Sequence, residues 1–376
     1  MRTHMHTFSS GGGSGSGSSS SVMSEVSAAS VATRAIGTVY QNTTGKPLLV
    51  SVAAQNSGTN GCITANTGAT SSPATPVAQM SGQQNGDGLT NLQFFVLLGN
   101  YYEVVATNGT QTLLIWREYE LASGTFLDSG DIVGTRVSGT IYQNTGATTL
   151  FVVAQSNTLS TGDEINCVCD GNASPTTVVD QQVISTYGAY GGPLAIYSMF
   201  PVPAGYYYKV TVTTSGSGVL AHWHEYSWAV PCLQSLNLLG ANPGSLPATG
   251  QPYSAGPYAP TVPRTLFGPT GISTPSLESN GTTTQWENAF GLQSWQNGSK
   301  MTWVAVISQV AVGGNAAAIL SDNGIPAYRP VTLVGAGNGL SKTLRAPVLP
   351  NQFYTYWDYS SSNNITGIAW IEYTLG

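Results

Sequence analysis

Arg34-Ala-Ile-Gly37-Thr-Val-Tyr40-Gln-Asn-Thr43 returns later in the chain as Arg136-Val-Ser-Gly139-Thr-Ile-Tyr142-Gln-Asn-Thr145. The shared pattern, R-x-x-G-T-x-Y-Q-N-T, decides the reading of the fold, because self-similarity at a fixed period marks a structural unit used more than once. Each copy runs on into an apolar stretch ending in Ala-Gln, Leu48 to Gln55 and Leu150 to Gln155. A third, weaker copy opens at Phe290-Gly291, carries Trp295-Gln-Asn297-Gly298 and continues from Met301 to Gln309. Each copy also closes alike. Trp116-Arg-Glu118-Tyr119, Trp223-His-Glu225-Tyr226 and Trp370-Ile-Glu372-Tyr373 share W-x-E-Y, and each follows paired aromatics: Tyr101-Tyr102, Tyr206-Tyr207-Tyr208 and Phe353-Tyr354. From Tyr40 to Trp116, Tyr142 to Trp223 and Trp295 to Trp370 the separation is roughly 80 residues each time.

Segments of about 90 residues are the size of a sandwich domain. The expected fold is all-β: three tandem antiparallel β-sandwich domains, Ig-like or jelly-roll-like, over residues 31–122, 133–230 and 281–376. Alternation in Tyr207–Thr213 and Leu113–Tyr119 supports strands. Turn residues at Asn108-Gly109, Ser215–Gly218 and Ser361–Asn364 separate the aromatic strand from the W-x-E-Y strand, so each unit is predicted to end in a β-hairpin. No helix is predicted, since Gly, Thr and Asn interrupt every window of helical period. Residues 231–280 hold nine of the chain's 20 prolines and read as a semi-rigid Pro/Gly-rich connector. The expected arrangement is a close pair, a long arm and a third module. Residues 1–30, with their Gly/Ser run at 8–21, read as a flexible N-terminal segment.

Charged residues are 7% of the 376, against about 25% in an average soluble protein. Eleven Lys plus Arg do not furnish a phosphate-binding face, so no nucleic-acid partner is expected. Charge-driven disorder is excluded by 41% hydrophobic and 10% aromatic residues. No apolar run reaches the roughly 18 residues of a membrane span, and the opening Met-Arg-Thr-His-Met-His is followed by no apolar signal region. No membrane partner is expected, and assembly is placed in a cytoplasm. Cys62, Cys167, Cys169 and Cys232 are read as free thiols, with a bridge from Cys167 or Cys169 to Cys232 as the leading exception.

Glu118, Glu225 and Glu372 are the recurring acids. They could be sugar-binding or catalytic carboxylates, but glycoside hydrolysis needs two carboxyls about one bond, and each copy offers one. The structural alternative pairs Arg34 with Glu118 and Arg136 with Glu225; the third copy has Asn288 at the matching place. His222-x-His224 could ligate zinc, or be half-exposed strand histidines. Asp128–Asp131 and Asp163-Glu164 could hold calcium, or be loop acids. The Tyr206–Tyr208 run points rings to both strand faces, one core and the other a subunit contact or a saccharide platform. No serine elbow, P-loop, dinucleotide fingerprint or H-E-x-x-H occurs. No catalytic residue, cofactor or metal is assigned. The signature residues are Arg34, Tyr40, Trp116, Glu118, Arg136, Tyr142, Trp223, Glu225, Trp295, Trp370 and Glu372, all read as structural.

Gly37-Thr-Val-Tyr40-Gln-Asn-Thr-Thr-Gly45-Lys-Pro47-Leu48, Val202-Pro-Ala-Gly205-Tyr-Tyr-Tyr208 and the three W-x-E-Y segments resemble a β-sandwich repeat of tailed-bacteriophage virion proteins. The first copy lacks the Pro of the V-P-x-G turn and the third lacks its Gly. The resemblance implies a virion structural protein, a tail fibre or fibre-like appendage for host attachment. The alternatives are a capsid decoration or cement protein and a carbohydrate-binding surface module. It also implies other virion proteins as partners, a homotrimer, a host surface glycan as a possible ligand, and no enzymatic activity.

Overall fold

The structure is a computed structural model that describes residues 22–375 apart from 27–28, 31, 57–60, 82–87, 109, 122–123, 161, 185–193, 215–218, 238–265, 268–293, 297–299, 311–315, 323–328, 336–339, 351 and 360–364. The first segment forms β1 (Met23–Glu25), β2 (Tyr40–Gln41), β3 (Leu48–Asn56), β4 (Cys62–Gly68), β5 (Thr75–Ser81), β6 (Gly88–Val96), β7 (Tyr101–Asn108) and β8 (Gln111–Leu121). A joining strand, β9 (Phe126–Asp131), leads into β10 (Ile141–Gln143), β11 (Thr149–Leu159), β12 (Glu164–Asp170), β13 (Val178–Val183), β14 (Leu194–Val202), β15 (Tyr207–Thr213) and β16 (Val219–Trp228). The rest forms β17 (Cys232–Asn237), β18 (Leu266–Phe267), β19 (Ser294–Gln296), β20 (Met301–Val310), β21 (Ala316–Asp322), β22 (Arg329–Gly335), β23 (Leu340–Val348), β24 (Phe353–Tyr359) and β25 (Ile365–Leu375). Among the described residues the one helical turn is the 3-10 turn Val133–Thr135, and no helix is long and apolar enough to cross a membrane.

The strands make five sheets, ordered β1-β8-β3-β6, β2-β7-β4-β5, β14-β11-β16-β9, β10-β15-β12-β13-β23-β20-β25-β17 and β18-β19-β24-β21-β22. The chain is all-β, but as a propeller-like, five-bladed arrangement of small sheets and not as three tandem β-sandwich domains. Two findings overturn the tandem expectation. The eight-stranded sheet runs through the boundary between the second and third segments, joined where Gln182 of β13 faces Lys342 of β23. Strand β14, Leu-Ala-Ile-Tyr-Ser-Met-Phe-Pro-Val, is buried at every position. A strand of an isolated sandwich covers one face and wets the other; β14 has both faces covered because neighbouring segments pack on it. A near-continuous apolar sequence is the signature of that environment, and Leu114–Tyr119 of β8 is buried in the same unbroken way.

One hydrophobic core therefore threads all three segments. Its aromatic junction takes Phe95 from the first, Phe126 from the joining strand, Phe151 and Tyr226 from the second, and Trp303 from the third. Ring centroids lie 4.8 Å apart for Phe95–Phe126, 5.2 Å for Phe95–Phe151, 5.0 Å for Phe95–Tyr226 and 5.5 Å for Phe151–Trp303. Such pairs each add about 0.5–1.5 kcal/mol beyond the area they bury.

Three further expectations change. The closing hairpin is absent in each segment: β7 and β8 belong to different sheets, as do β15 and β16, and β24 and β25. Turn residues serve equally well for an arch between sheets, and in the first two segments the Tyr strand and the W-x-E-Y strand face each other across the core. Residues 23–25 of the N-terminal stretch pair with β8, Met23 opposite Leu121; residues 1–21, with the Gly/Ser run, lie outside the described residues. The connector opens as strand: β17 pairs with β25 from Cys232↔Leu375 to Asn237↔Trp370. The third segment thus packs against the second instead of standing at the end of an arm. Most of 238–293 lies outside the described residues.

Candidate functional site

The signature residues gather into two matching clusters. In the first, Arg34 Nε donates to Glu118 Oε1 at 2.8 Å and its Nη2 to Oε2 at 3.1 Å. The Tyr102 hydroxyl donates to Oε1 at 2.6 Å and Trp116 Nε1 at 2.8 Å. In the second, Arg136 Nε and Nη2 each reach Glu225 at 2.8 Å, Tyr208 at 2.7 Å and Trp223 Nε1 at 3.0 Å. The bidentate fork is the strong geometry for guanidinium and carboxylate. Each guanidinium also lies 4.6 Å above a tyrosine ring, Arg34 over Tyr40 and Arg136 over Tyr142. Those tyrosines meet the Trp edge-on, at 5.8 Å for Tyr40–Trp116 and 5.9 Å for Tyr142–Trp223.

Other motif positions have a local task, performed twice. Tyr40 and Tyr142 hydroxyls accept from Ala35 N and Val137 N, both at 2.8 Å, closing the turn that brings Arg back over the ring. Gly37 and Gly139 stand in that turn with φ of 79° and 80°, a conformation that side chains with a Cβ rarely take. Their amides bond Val104 O and Val210 O. Gln41 and Gln143 donate to Gly99 O and Gly205 O at 3.1 Å. Buried Asn42 and Asn144 bridge the strand ends, donating to Val96 O and Val202 O. The Trp and Glu alternate with Arg117 or His224 along a strand, so they share the inward face.

Burial sets the electrostatics. Glu118 is 1% exposed and Glu225 11%. Burial alone would raise Glu225, but bonds from Arg136 and Tyr208 hold it below the usual carboxylate range. Burial and the adjacent Glu push Tyr102 and Tyr208 well above an ordinary phenol. Hydrogen bonding to Glu118 and Glu225 raises Arg34 and Arg136. Both carboxylates have their oxygens already taken by Arg, Tyr and Trp. A carboxyl so fully engaged is poorly placed to protonate a leaving group or attack a substrate.

In the third segment Glu372 is buried and Trp295 lies opposite Tyr354 in the sheet register; Trp370 is in β25. The side chains of Trp295 and Trp370, and Asn288, lie outside the described residues.

The remaining candidates disperse. His222 Nδ1 sits 2.6 Å from Asp131 Oδ2. His224 is buried, stacked on Tyr226 at 5.9 Å, with Nδ1 3.5 Å from Asp128. Asp128 and Asp131 are not loop acids but part of β9, paired to β16. Asp163 accepts from Ser160 N at 2.7 Å. Among the described residues no group of three or more His, Cys, Asp and Glu is placed to hold a metal. All four cysteines are free; burial pushes the Cys232 thiol up to about 12. Of the tyrosine run, Tyr208 is buried and Tyr206 and Tyr207 are half-buried.

Sequence reading missed a second polar centre. Arg345 of β23 donates from Nε to Asp180 Oδ2 of β13 at 2.7 Å, with side chains 3% and 0% exposed. The guanidinium lies 5.0 Å above the Tyr197 ring. The Tyr197 hydroxyl accepts from Gln93 N at 2.7 Å, and Gln93 Nε2 donates to Arg345 O at 2.8 Å. Burial pushes Asp180 upward against the pull of Arg345, and lifts Tyr197 to about 12. Both strands carry other polar residues, Gln181 and Gln182 in β13 and Ser341, Lys342 and Thr343 in β23, so nothing in the sequence singles out the pair.

No family model matches the sequence, and no curated protein matches it. Among solved structures the chain is similar to the N-terminal CBM22-1-CBM22-2 tandem domain from Paenibacillus barcinonensis Xyn10C. The identity is 10%, with 72% of this chain and 81% of that one covered, at a TM-score of 0.17. A likeness of that size carries no argument.

Proposed function

We propose that this chain is an architectural protein, a virion subunit of a tailed phage that serves as a fibre-like appendage for attachment. The observation that supports it is the use of the repeated residues. Arg34, Trp116 and Glu118, like Arg136, Trp223 and Glu225, spend polar atoms on one another, and the Tyr40 and Tyr142 hydroxyls close the turn beside them. Residues that recur in order to hold a shape fit a scaffold better than an active site. The motif resemblance to phage virion proteins supplies the setting, and a symmetric trimer is the assembly it favours.

The test is the copy number of this chain in purified particles, by quantitative mass spectrometry, with negative-stain imaging of particles labelled at residue 376. A small multiple of three or six at the tail supports the reading. Hundreds of copies on the head would make it a decoration protein, and absence from particles overturns it. Incubating the purified chain with host polysaccharide should release no oligosaccharide; release that is abolished by E118Q or E225Q would make it an enzyme.

A further inference from the structure

We infer that Cys62 and Gln79 join in an internal thioester, and that this bond makes the chain reactive toward primary amines. The inference stands apart from the virion reading. Strands β4 and β5 pair antiparallel, with Cys62 opposite Ser81 and Thr64 opposite Gln79. Cys62 and Thr64 share one face of β4, so Gln79 is the diagonal neighbour of Cys62, within reach of a long side chain. Gln79 Nε2 donates to Cys62 Sγ at 3.2 Å. Gln79 Oε1 accepts from Gln155 Nε2 of β11 at 2.9 Å, and that same nitrogen donates to Asn157 Oδ1 at 2.8 Å. The Gln79 amide is therefore held at both ends, its nitrogen on a sulfur and its oxygen on a donor from the second segment. Edge strand β5 is itself pinned, since Ser81 Oγ accepts from Ala195 N of β14 at 2.9 Å. Cys62 is 3% exposed and Gln155 1%, and Cys62 is in no disulfide. Gln234, by contrast, donates to the backbone carbonyl of Cys169 and not to its sulfur.

This geometry sets a nucleophile against an acyl group. The Gln79 carbonyl carbon is one bond from the nitrogen that touches the sulfur, so a side-chain rotation brings Sγ onto it. Sγ bonds to Cδ, and the carbonyl oxygen takes up negative charge beside the Gln155 N–H, the arrangement of an oxyanion hole. The thiol proton passes to Nε2. The C–N bond then breaks, ammonia leaves, and the Gln79 acyl group stays on Cys62 as a thioester. No oxidant or second substrate is needed. Dilution of ammonia into solvent draws the step forward, and burial of Cys62 keeps water from the product. Gln79 is only half-buried, which leaves a side from which a small nucleophile can approach. A primary amine that adds to the thioester carbon forms an amide on Gln79 and releases Cys62 as a thiol.

The experiment weighs the full folded chain by mass spectrometry, unfolded in acid and mapped with pepsin so that a thioester survives. The expected mass is lower by one ammonia than the sequence requires, with the peptides that carry Cys62 and Gln79 joined. Folded chain treated with methylamine should gain the mass of one methylamine, placed on Gln79, and Cys62 should then react with a maleimide on unfolding. Q79E keeps the size of the side chain but has no ammonia to lose; it should show its full mass and an unmodified Cys62. C62S should likewise keep its ammonia, and C167S should behave as wild type. Wild type at full mass, with Cys62 and Gln79 both unmodified, overturns the inference, because the contact is then a hydrogen bond only. Ammonia loss that persists in Q79E or C62S overturns it as well. A thioester that methylamine opens only after unfolding overturns the amine reactivity. The wild-type mass decides by itself, so a variant that fails to fold does not shelter the inference.

Discussion

Arg34–Glu118 and Asp180–Arg345 join the same two chemical groups, yet one lies within a segment and the other between two. The first recurs as Arg136–Glu225; the second occurs once. In the repeated pair the arginine stays 22% or 23% exposed, and the carboxylate has Tyr and Trp donors besides. In the Asp180–Arg345 pair, at the seam between segments, both partners are buried, and Asp180 also accepts from Met199 N at 3.0 Å. The difference teaches that repeated residues hold each segment to its own shape, whereas unrepeated ones hold the segments to each other. A buried ion pair is a weak source of net stability but expensive to break from one side. That makes the seam pair the place where the comparison breaks hardest.

Replacing Arg345 with Met leaves Asp180 without its cation in a site that is 0% exposed. The loss is expected to be about 3–5 kcal/mol, read as a shift in the urea midpoint, with the third segment released first in limited proteolysis. The double variant D180N/R345M should recover much of that loss, since removing both charges is close to neutral. A double variant no better than R345M would show that packing, not the unpaired charge, sets the cost.

Replacing Arg34 with Met is expected to cost less, about 2–3 kcal/mol, because Tyr102 and Trp116 still donate to Glu118. R136M should cost less again, since Glu225 is more exposed than Glu118. Equal losses in R34M and R345M, measured by denaturation side by side, would erase the distinction between the two kinds of pair.

That distinction also explains how much could be read beforehand. Arg34, Tyr40, Trp116 and Glu118 stand out because the chain writes them a second time at one spacing, and their partners fall within one segment. Gln93, Tyr197, Asp180 and Arg345 have partners in other segments, and a sequence read segment by segment gives no reason to put them together. The run Leu194–Val202 is buried at every position, and nothing in its own sequence says which segments cover its two faces. That coverage depends on how segments pack, and it turned the expected tandem sandwiches into five sheets about one core. The Asp128–Asp131 stretch was mistaken for loop for a related reason: Asp, Ser and Gly are poor strand formers, and β9 exists because it has β16 to pair with.

Acid should weaken the fold through the Glu225 cluster and not through the seam carboxyl, because Glu225 is held below its unfolded value whereas burial pushes Asp180 above it. Glu225 is held below its unfolded value against the opposing effect of burial. Its contribution is therefore complete above about pH 4.3, the unfolded value, and is lost as pH falls through the lower folded value. Asp131, which burial would raise, is likewise lowered by His222 and by the amides of Trp223 and Val133, and adds in the same direction. Thermal melts from pH 6 downward should fall more steeply in wild type than in E225Q. Parallel curves would mean that the carboxylate of Glu225 is not what titrates.

The smallest effect is expected where the same charges meet in water. Lys46 Nζ lies 3.0 Å from Glu120 Oε2, with side chains 42% and 24% exposed. Solvent screens the attraction, and ordering two long side chains offsets it, so pairs of this kind contribute about 0–1 kcal/mol. K46A should shift the urea midpoint by no more than that, and the shift should vanish in high salt. R34M should keep most of its loss in the same salt, because Glu118 is shielded from mobile ions by the Tyr and Trp packed around it. If salt abolishes both losses equally, the Arg34–Glu118 pair behaves as a surface pair, and the burial that separates the two cases is not what strengthens it.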